Sequence, residues 1–342
     1  MYTEALSQHT RHRPDRIVAA LDIGGTKIAG ALVDGAGRFR ARSRRPTPAR
    51  QGADTVMGAV EAVLADLAAS PLWRCAEAIG IGSAGPVDAS AGTVSPVNVP
   101  AWRGYPLVDR VRTATGGGLP VTLIGDGVAM TAAEHWQGAA RGHDNALCLV
   151  VSTGVGGGLV LGGRLHPGPT GNAGHIGHMS VDLDGDPCPC GGRGCLEGIA
   201  SGPNIARRAL ENGWRPAADG DATAAAVAAS ARLGDPAARA SFDRAARALA
   251  AGIAATATLV EVDIAVVGGE WRRGRRAVRT AAARPAGLRR ALLRPGLTVA
   301  PAVTGTDAGL LGAAAAARTA PGPRAADAGP PPGGPVRYPA GR

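Results

Sequence analysis

Aromatic side chains are scarce in this chain: five Trp, three Tyr and two Phe, or 3% of 342 residues. A core without them must rest on Ala, Val, Leu and Ile. At 45% apolar content the chain still has ample material for one large or two ordinary domains. The first sixteen residues lack an apolar h-region, so no secretory leader is read there. The apolar runs near 248–260 carry threonines and are too short to span a bilayer. Both absences point to a soluble, cytoplasmic protein. Cysteine is sparse too, five in all, and three of these crowd into eight residues, which does not suit a secreted disulfide frame. Cys75 and Cys148 stand alone in apolar surroundings and read as small buried hydrophobes. Acid is missing from 271–295, where nine arginines fall. Nearly all of the +10 net charge is therefore one block rather than a property of the fold, which weakens any nucleic-acid argument from global charge.

Glycine and proline, by contrast, are abundant at 52 and 26 residues, and favour a loop-rich α/β protein over a helical bundle. Residues 1–16 and 319–342 read as disordered tails, the second because it is rich in Pro and Gly. Between them lie two α/β lobes, 17–138 and 139–306, with a last helix at 307–318 returning to the first.

The first apolar strand, 17–22, ends in Asp22-Ile23-Gly24-Gly25-Thr26-Lys27, and a second apolar run, 28–33, follows at once. The glycines therefore form a hairpin turn. Such turns aim several backbone N–H groups into one concavity, which suits phosphate oxygens. Asp22 suits Mg²⁺ held through water, and Thr26 and Lys27 suit phosphate. The Gly-Lys-Ser/Thr helix start of a Walker A loop is absent, and an ordinary hairpin turn is the plain alternative. The pattern recurs at 146–161, where an apolar strand runs into Ser152-Thr153-Gly154-Val155-Gly156-Gly157-Gly158 and then a short strand. Two such turns suggest two related sheets facing each other across a nucleotide.

Between the turns, a helix is read at 54–69 and a buried strand at 78–83. The region 93–107 shows no periodicity and reads as a loop carrying Asn98, Trp102 and Gly104. Amides and aromatic faces suit polyols, so this is either a sugar-contact loop or a plain surface loop. Strand 121–125 hands over to a helix at Asp126. That carboxylate is either an N-cap or a group held at the strand's C-terminal edge, where open α/β sheets bind ligands. Further on, Ser201 caps a helix to Leu210, and Ala-rich helices are read at 222–233 and 236–260. A strand at 263–267 ends in Gly268-Gly269, and Asp307 caps the final helix.

His178, Cys188, Cys190 and Cys195 offer one imidazole and three thiolates, the donor set of a closed, structural tetrahedral zinc site. Gly191, Gly192 and Gly194 permit the turns that aim the sulfurs at one point. A disulfide with one spare thiol, or free thiols, are the alternatives. Zinc here would rigidify a loop, 175–197, that carries His175 and Glu197.

With these segments placed, the chain resembles the ROK family of repressors, open reading frames and sugar kinases. The matching stretches include Leu21 to Lys27, Gly82-Ser83-Ala84-Gly85-Pro86-Val87, Asn98 with Trp102-Arg103-Gly104, and Asp126. They continue with 153–158, Gly174-His175-Ile176-Gly177-His178, the cysteine box through Glu197, and 307–312. The resemblance implies an actin-like, ribonuclease-H-like fold of two lobes with ATP and a sugar in the cleft. It implies that Asp126 is the base on the sugar hydroxyl, and that Gly85, Asn98, His175, His178 and Glu197 surround the sugar. It places ATP and Mg²⁺ against Asp22, Gly24, Gly25, Thr26, Lys27, Thr153, Gly154, Gly156, Gly157, Gly268 and Gly269. A homodimer is expected by the same likeness. Sixteen residues ahead of the first strand are too few for the winged helix of the family's repressors, so nucleic acid is not the expected partner.

The chain departs from the pattern in three places. Gly125 stands where the family's kinases usually carry Asn, which removes a donor to a sugar hydroxyl. His175 stands where they usually carry Glu. Both changes fall in the sugar pocket and neither in the phosphate turns. The block 271–295 replaces an amphipathic helix near the adenine, as a solvated basic face or the product of a compensated reading-frame slip. The reading that follows is an ATP-dependent kinase for a hexose or N-acylhexosamine. A weak or non-catalytic sugar-binding regulator on the same scaffold is the alternative.

Overall fold

The computed structural model describes residues 16–217, 220–269 and 296–319. The Arg-rich block read at 271–295 lies outside the described residues, as do the two tails save for residues 16 and 319.

β1 (Ile17–Ile23) is apolar up to Asp22 and buried almost throughout, as a central strand covered on both faces must be. It pairs antiparallel with β2 (Lys27–Val33), which pairs antiparallel with β3 (Phe39–Pro46). On its other side it pairs parallel with β4 (Ala76–Ser83), and β4 pairs parallel with β7 (Val121–Gly125). β5 (Val87–Asp88) and β6 (Thr93–Val94) form a small separate ladder. The outer strand β3 alternates half-buried and exposed residues, with Arg40, Arg42 and Arg44 pointing outward. Charged side chains on an edge strand discourage further strand pairing.

A second sheet repeats the plan. β8 (Ala146–Val151), β9 (Val155–Leu161) and β10 (Arg164–His166) form an antiparallel meander. β11 (Ile264–Gly269) and β12 (Thr298–Pro301) add in parallel beyond β8. The orders are β3-β2-β1-β4-β7 and β10-β9-β8-β11-β12, so each strand of one sheet has a counterpart in the other.

α1 (Ala53–Ala68) buries Val56, Val60, Val63, Leu64 and Leu67, a stripe at helical spacing, on one face of the first sheet. α2 (Leu107–Ala114) joins it there. α3 (Asp126–Gln137) and α8 (Ala308–Thr319) lie on the other face. The β1 residues facing α8 are Val18 and Ala20, with Ala31 and Val33 beside them on β2. Small side chains bring helix and sheet close: a Cβ on Gly80 would collide with the Ala313 carbonyl, and one on Gly312 with that of Ala129. Tight backbone packing of this kind lets this face of the sheet do without a fully buried aromatic ring.

The second sheet is covered by α4 (Leu196–Ala200), α5 (Gly202–Glu211), α6 (Ala224–Leu233) and the long α7 (Pro236–Val260). α7 opens on a true cap, the Asp235 carboxylate accepting from Ala238 N at 2.8 Å. Its buried Ala, Leu249 and Ile253 share one cluster with Leu147, Leu149 and Val267, and Gly252 lies against Leu196 and Ile176. Among the described residues the backbone passes from one sheet to the other twice, after α3 and between β12 and α8. No helix among them is long and apolar enough to cross a membrane.

Several local readings are corrected. The region 93–107 holds β6 and leads straight into α2, whose eight residues carry only Leu107, Val108 and Val111 as buried apolar positions. Trp102 is fully buried rather than a polyol-facing ring; it stacks on Tyr105 at 4.7 Å and donates to Ala53 O at 3.2 Å. Gly156, Gly157 and Gly158 belong to strand β9, so the turn is confined to 152–154. Cys148 is buried and burial pushes its thiol pKa up, but Cys75 is exposed. Asp307 ends a 3-10 turn ahead of α8, and its carboxylate accepts both guanidinium N–H groups of Arg42, at 2.8 and 3.0 Å, instead of capping the helix.

Candidate active site

The C-terminal ends of β1, β4 and β7, the start of α3, and the β8–β9 turn converge on one cleft. In the β1–β2 turn, Gly24 N donates to Lys27 O at 2.9 Å. Thr47 braces it from outside, donating from its N to Thr26 O at 3.1 Å and from its hydroxyl to Gly24 O at 2.6 Å. Asn98 lies directly over Gly25, where any Cβ would collide with its amide. Asp22 faces this turn from β1, its carboxylate 3.9 Å from Lys27 Nζ and against Gly309 at the start of α8. Burial raises the Asp22 pKa, Lys27 works against that, and Asp126 adds to it.

Asp126 is the first residue of α3 rather than its cap; Gly125 holds the N-cap position. One Asp126 oxygen accepts from Gly127 N at 2.7 Å. Burial raises its pKa, opposed by the Gly127 N–H and by His175, with Glu197 adding to the rise. What fixes Asp126 in place is the seat of α3 on the second sheet. A Cβ on Gly127 would stand 2.6 Å from Gly157 N and 2.8 Å from Gly157 O, so only glycine lets the helix start settle there. Gly156 and Gly157 thus serve as a floor beneath Asp126 rather than as turn residues.

Gly85, Gly125, Asp126, Gly157, Asn172 and His175 line a narrow pocket of about 20 Å³ at this point. Burial lowers the His175 pKa and His178 lowers it further, while Asp126 and Glu197 raise it. The two imidazole rings lie 4.9 Å apart at 51°. Asn172 donates to Val87 O at 2.9 Å and so links the loop ahead of His175 to the small β5–β6 ladder. Neither Asn172 nor Thr47 stood out in the sequence, where each is one polar residue in a short loop. Beside Gly125 there is room, since a Cβ would meet Val87 Cγ2 at an ordinary 3.8 Å.

In the β8–β9 turn, Ser152 N donates to Gly154 O at 2.9 Å, leaving Thr153 exposed at the tip. Glu197 grips this turn: its Oε2 accepts from Val155 N at 2.8 Å. Gly268 is packed inside against Met130 and Ala302, and Gly269 is exposed at the end of β11 with φ 86°.

The ligand atoms of His178, Cys188, Cys190 and Cys195 all lie within 4.8 Å of one another. Cys188 Sγ is 3.7 Å from His178 Nδ1, and Cys190 Sγ is 3.6 Å from Cys195 Sγ. Tetrahedral bonds of about 2.3 Å place sulfurs ~3.8 Å apart, whereas a disulfide needs about 2.05 Å. The donor set and its spacing therefore fit a closed metal site. Asp182–Arg244 at 3.0 Å and Asp186–Arg207 at 2.9 Å hang the loop on α7 and α5. Leu196 N donates to Met179 O at 2.9 Å, coupling the loop to the segment that bears Glu197.

These features agree with known proteins. The N-acetylmannosamine kinase of Shigella flexneri is 39% identical over 253 residues, covering 74% of this chain and 82% of that one. The ROK hexokinase of Thermus thermophilus superposes with a TM-score of 0.75 at 34% identity, over 88% of this chain and 98% of that one. A ROK family glucokinase from Streptomyces griseus, solved with glucose and AMPPNP, gives a TM-score of 0.71 at 35% identity, over 89% and 100%. The two mixed sheets are thus those of the actin-like ATPase fold of ROK sugar kinases. A model of the ROK family matches residues 18–320, and the chain belongs to that family.

Proposed function

We propose that the protein is an ATP-dependent sugar kinase acting on a hexose or N-acylhexosamine, with Asp126 as general base. The observation that carries this is the placement of Asp126, a carboxylate at the start of α3, between two backbone turns and lining the pocket. The relatives named as N-acetylmannosamine kinase and glucokinase support the substrate class.

In this reading the acceptor hydroxyl lies against Asp126, which takes its proton as the oxygen bonds to the γ-phosphorus and ADP departs. A pKa raised above the ordinary carboxylate range makes Asp126 a stronger proton acceptor than an unperturbed carboxylate. The turns at 24–26 and 152–154 present backbone N–H groups to the phosphates, and Lys27 adds a positive charge. Positioning and charge stabilisation suffice for phosphoryl transfer, which asks little covalent chemistry of the protein. Mg²⁺, held through water by Asp22, would neutralise charge on the transferring phosphates. Zinc at His178, Cys188, Cys190 and Cys195 would fix the path of the loop, so that Glu197 holds the second turn and His175 faces the pocket. Closure of the two lobes, 17–138 with the last helix and 139–306, would keep water from competing as acceptor.

Gly125 and His175 favour a second reading, a sugar receptor of low turnover, because each replaces a group that would hold a sugar hydroxyl. A coupled ADP-release assay over N-acetylmannosamine, N-acetylglucosamine, glucose and mannose decides between them, with Asp126→Asn as control. Turnover abolished in the variant is the expected result. Equal turnover in both proteins removes the base assignment, and calorimetric sugar binding without any turnover establishes the receptor.

A further inference from the structure

The helix that carries Asp126 at its start carries a second carboxylate near its end, one that no step of the transfer uses. Glu134 is fully buried. An ionised carboxylate there is costly unless each oxygen is met by donors. Both are. Oε1 accepts from Val303 N at 2.9 Å, Thr304 N at 2.8 Å and Thr304 Oγ1 at 2.6 Å. Oε2 accepts from Ala139 N at 2.8 Å. The Glu134 backbone carbonyl accepts further from Gly138 N at 3.0 Å and Ala140 N at 3.1 Å. Ala139 lies on the connection leaving α3 for the second sheet, and Val303 and Thr304 lie on the one returning to α8. These are the two places where the described backbone crosses between the sheets.

We infer that Glu134 is the hinge clasp of the molecule: one carboxylate ties both crossings to the far end of the helix that holds the base. Every donor is a backbone N–H or a hydroxyl, so the hold is geometric and fixes where each crossing can pivot. Glu134 touches neither substrate nor reacting atoms and acts through α3, as a positioning residue. The eight helical steps from Asp126 to Glu134 make a lever of about 12 Å. A swing of ~10° at the clasp moves the Asp126 end by about 2 Å, enough to take a general base out of hydrogen-bond reach. The effect on turnover rests on the kinase reading; the clasp itself does not.

Glu134→Gln tests the inference at nearly constant volume. Whichever way its amide turns, an NH₂ group faces an N–H donor, either that of Ala139 or those of Val303 and Thr304, so one crossing is released. The expected result by hydrogen–deuterium exchange is at least about tenfold faster exchange at one of these crossings, with β1 and β8 still protected. With N-acetylmannosamine and ATP, kcat should fall about tenfold or more while the KM for ATP is kept. Met57→Ala, in the core between α1 and the first sheet, is the control for general destabilisation and should leave both readouts unchanged. Thr304→Val, which removes one donor and keeps both backbone bonds, serves where Glu134→Gln does not fold. It should speed exchange at Val303 and Thr304 and leave Ala139 as it was. Exchange within twofold of the parent at all three amides, or the same change in Met57→Ala, overturns the clasp. Faster exchange with kcat unchanged overturns the positioning role. A parent without kinase activity leaves the exchange result to decide the clasp alone.

Discussion

Gly127→Ala is the sharpest test of how the base is seated. The new methyl group would stand 2.6 Å from Gly157 N, about 0.8 Å inside ordinary contact at ~3.4 Å. Its neighbours are backbone atoms in the middle of β9, so no side chain can swing aside. The first turn of α3 must lift instead, by the same ~0.8 Å, and Asp126 is the residue just ahead. Overpacking against backbone costs about 1–3 kcal/mol, which in a chain of this size lowers Tm by about 2–4 °C per kcal/mol. The catalytic effect is larger, since displacement of a base by about 1 Å costs roughly 10²-fold in rate. Paired thermal melts and a coupled ADP-release assay should therefore show a stable, folded variant with kcat reduced about 100-fold. Gly58→Ala is the matched control. Gly58 lies on the exposed side of α1 with nothing within 4 Å of an added methyl, so alanine should stabilise by about 1 kcal/mol and leave kcat alone. A Gly127→Ala enzyme with kcat within twofold of the parent would refute the argument that this contact sets the base.

Asp126→Asn should lower kcat by about 10²–10⁴-fold and at the same time raise Tm near neutral pH. Because burial raises the folded-state pKa, the folded protein binds the proton more tightly than the unfolded chain, so stability falls as pH rises from the ordinary carboxylate range through the raised value. Calorimetric melts between about pH 4 and 8 should show that fall flattened in the variant, while the acid limb of the parent's kcat/KM lies above the usual carboxylate range. Chelation with dipicolinate should remove one zinc per chain by elemental analysis and raise the sugar KM more than the ATP KM, because the loop that sets His175 in the pocket loses its fixed path. A chain that never carried zinc would fail at the first of those measurements. Gly125→Asn has room for its Cβ and adds a donor, so the acceptor KM should fall about 2–10-fold, the worth of one hydrogen bond. An unchanged KM over the sugar panel would separate Gly125 from the choice of acceptor.

What the sequence revealed follows a physical line. β1, β4, β8 and β11 are continuous apolar runs because they are buried on both faces, and each was legible by run length alone. Asp22, Asp126 and the two turns were legible because a carboxylate or glycines at a strand's end are unusual without a ligand to serve. Gly156 to Gly158 misled for a related reason. Glycine suggests a turn by its backbone freedom, but here it answers the need for backbone to touch backbone across β9 and α3. Trp102 misled because a loop without periodicity carries no sign of which residues point inward. Asn172, Thr47 and Glu134 each reach at least one partner far along the chain, 85, 23 and 170 residues away, and such pairings leave no local mark.

The order of the strands also has a consequence for synthesis. α8, the last described helix, covers a face of β1 and β2 formed by some of the first described residues, including Val18, Ala20 and Ala31. Until it arrives, that apolar surface has no cover, although its own sheet left the ribosome long before. The meander of the second sheet meets no such delay in pairing, since β8, β9 and β10 follow one another directly. The half translated first is therefore the half completed last, and it is the one that must be shielded from aggregation while the chain is being made.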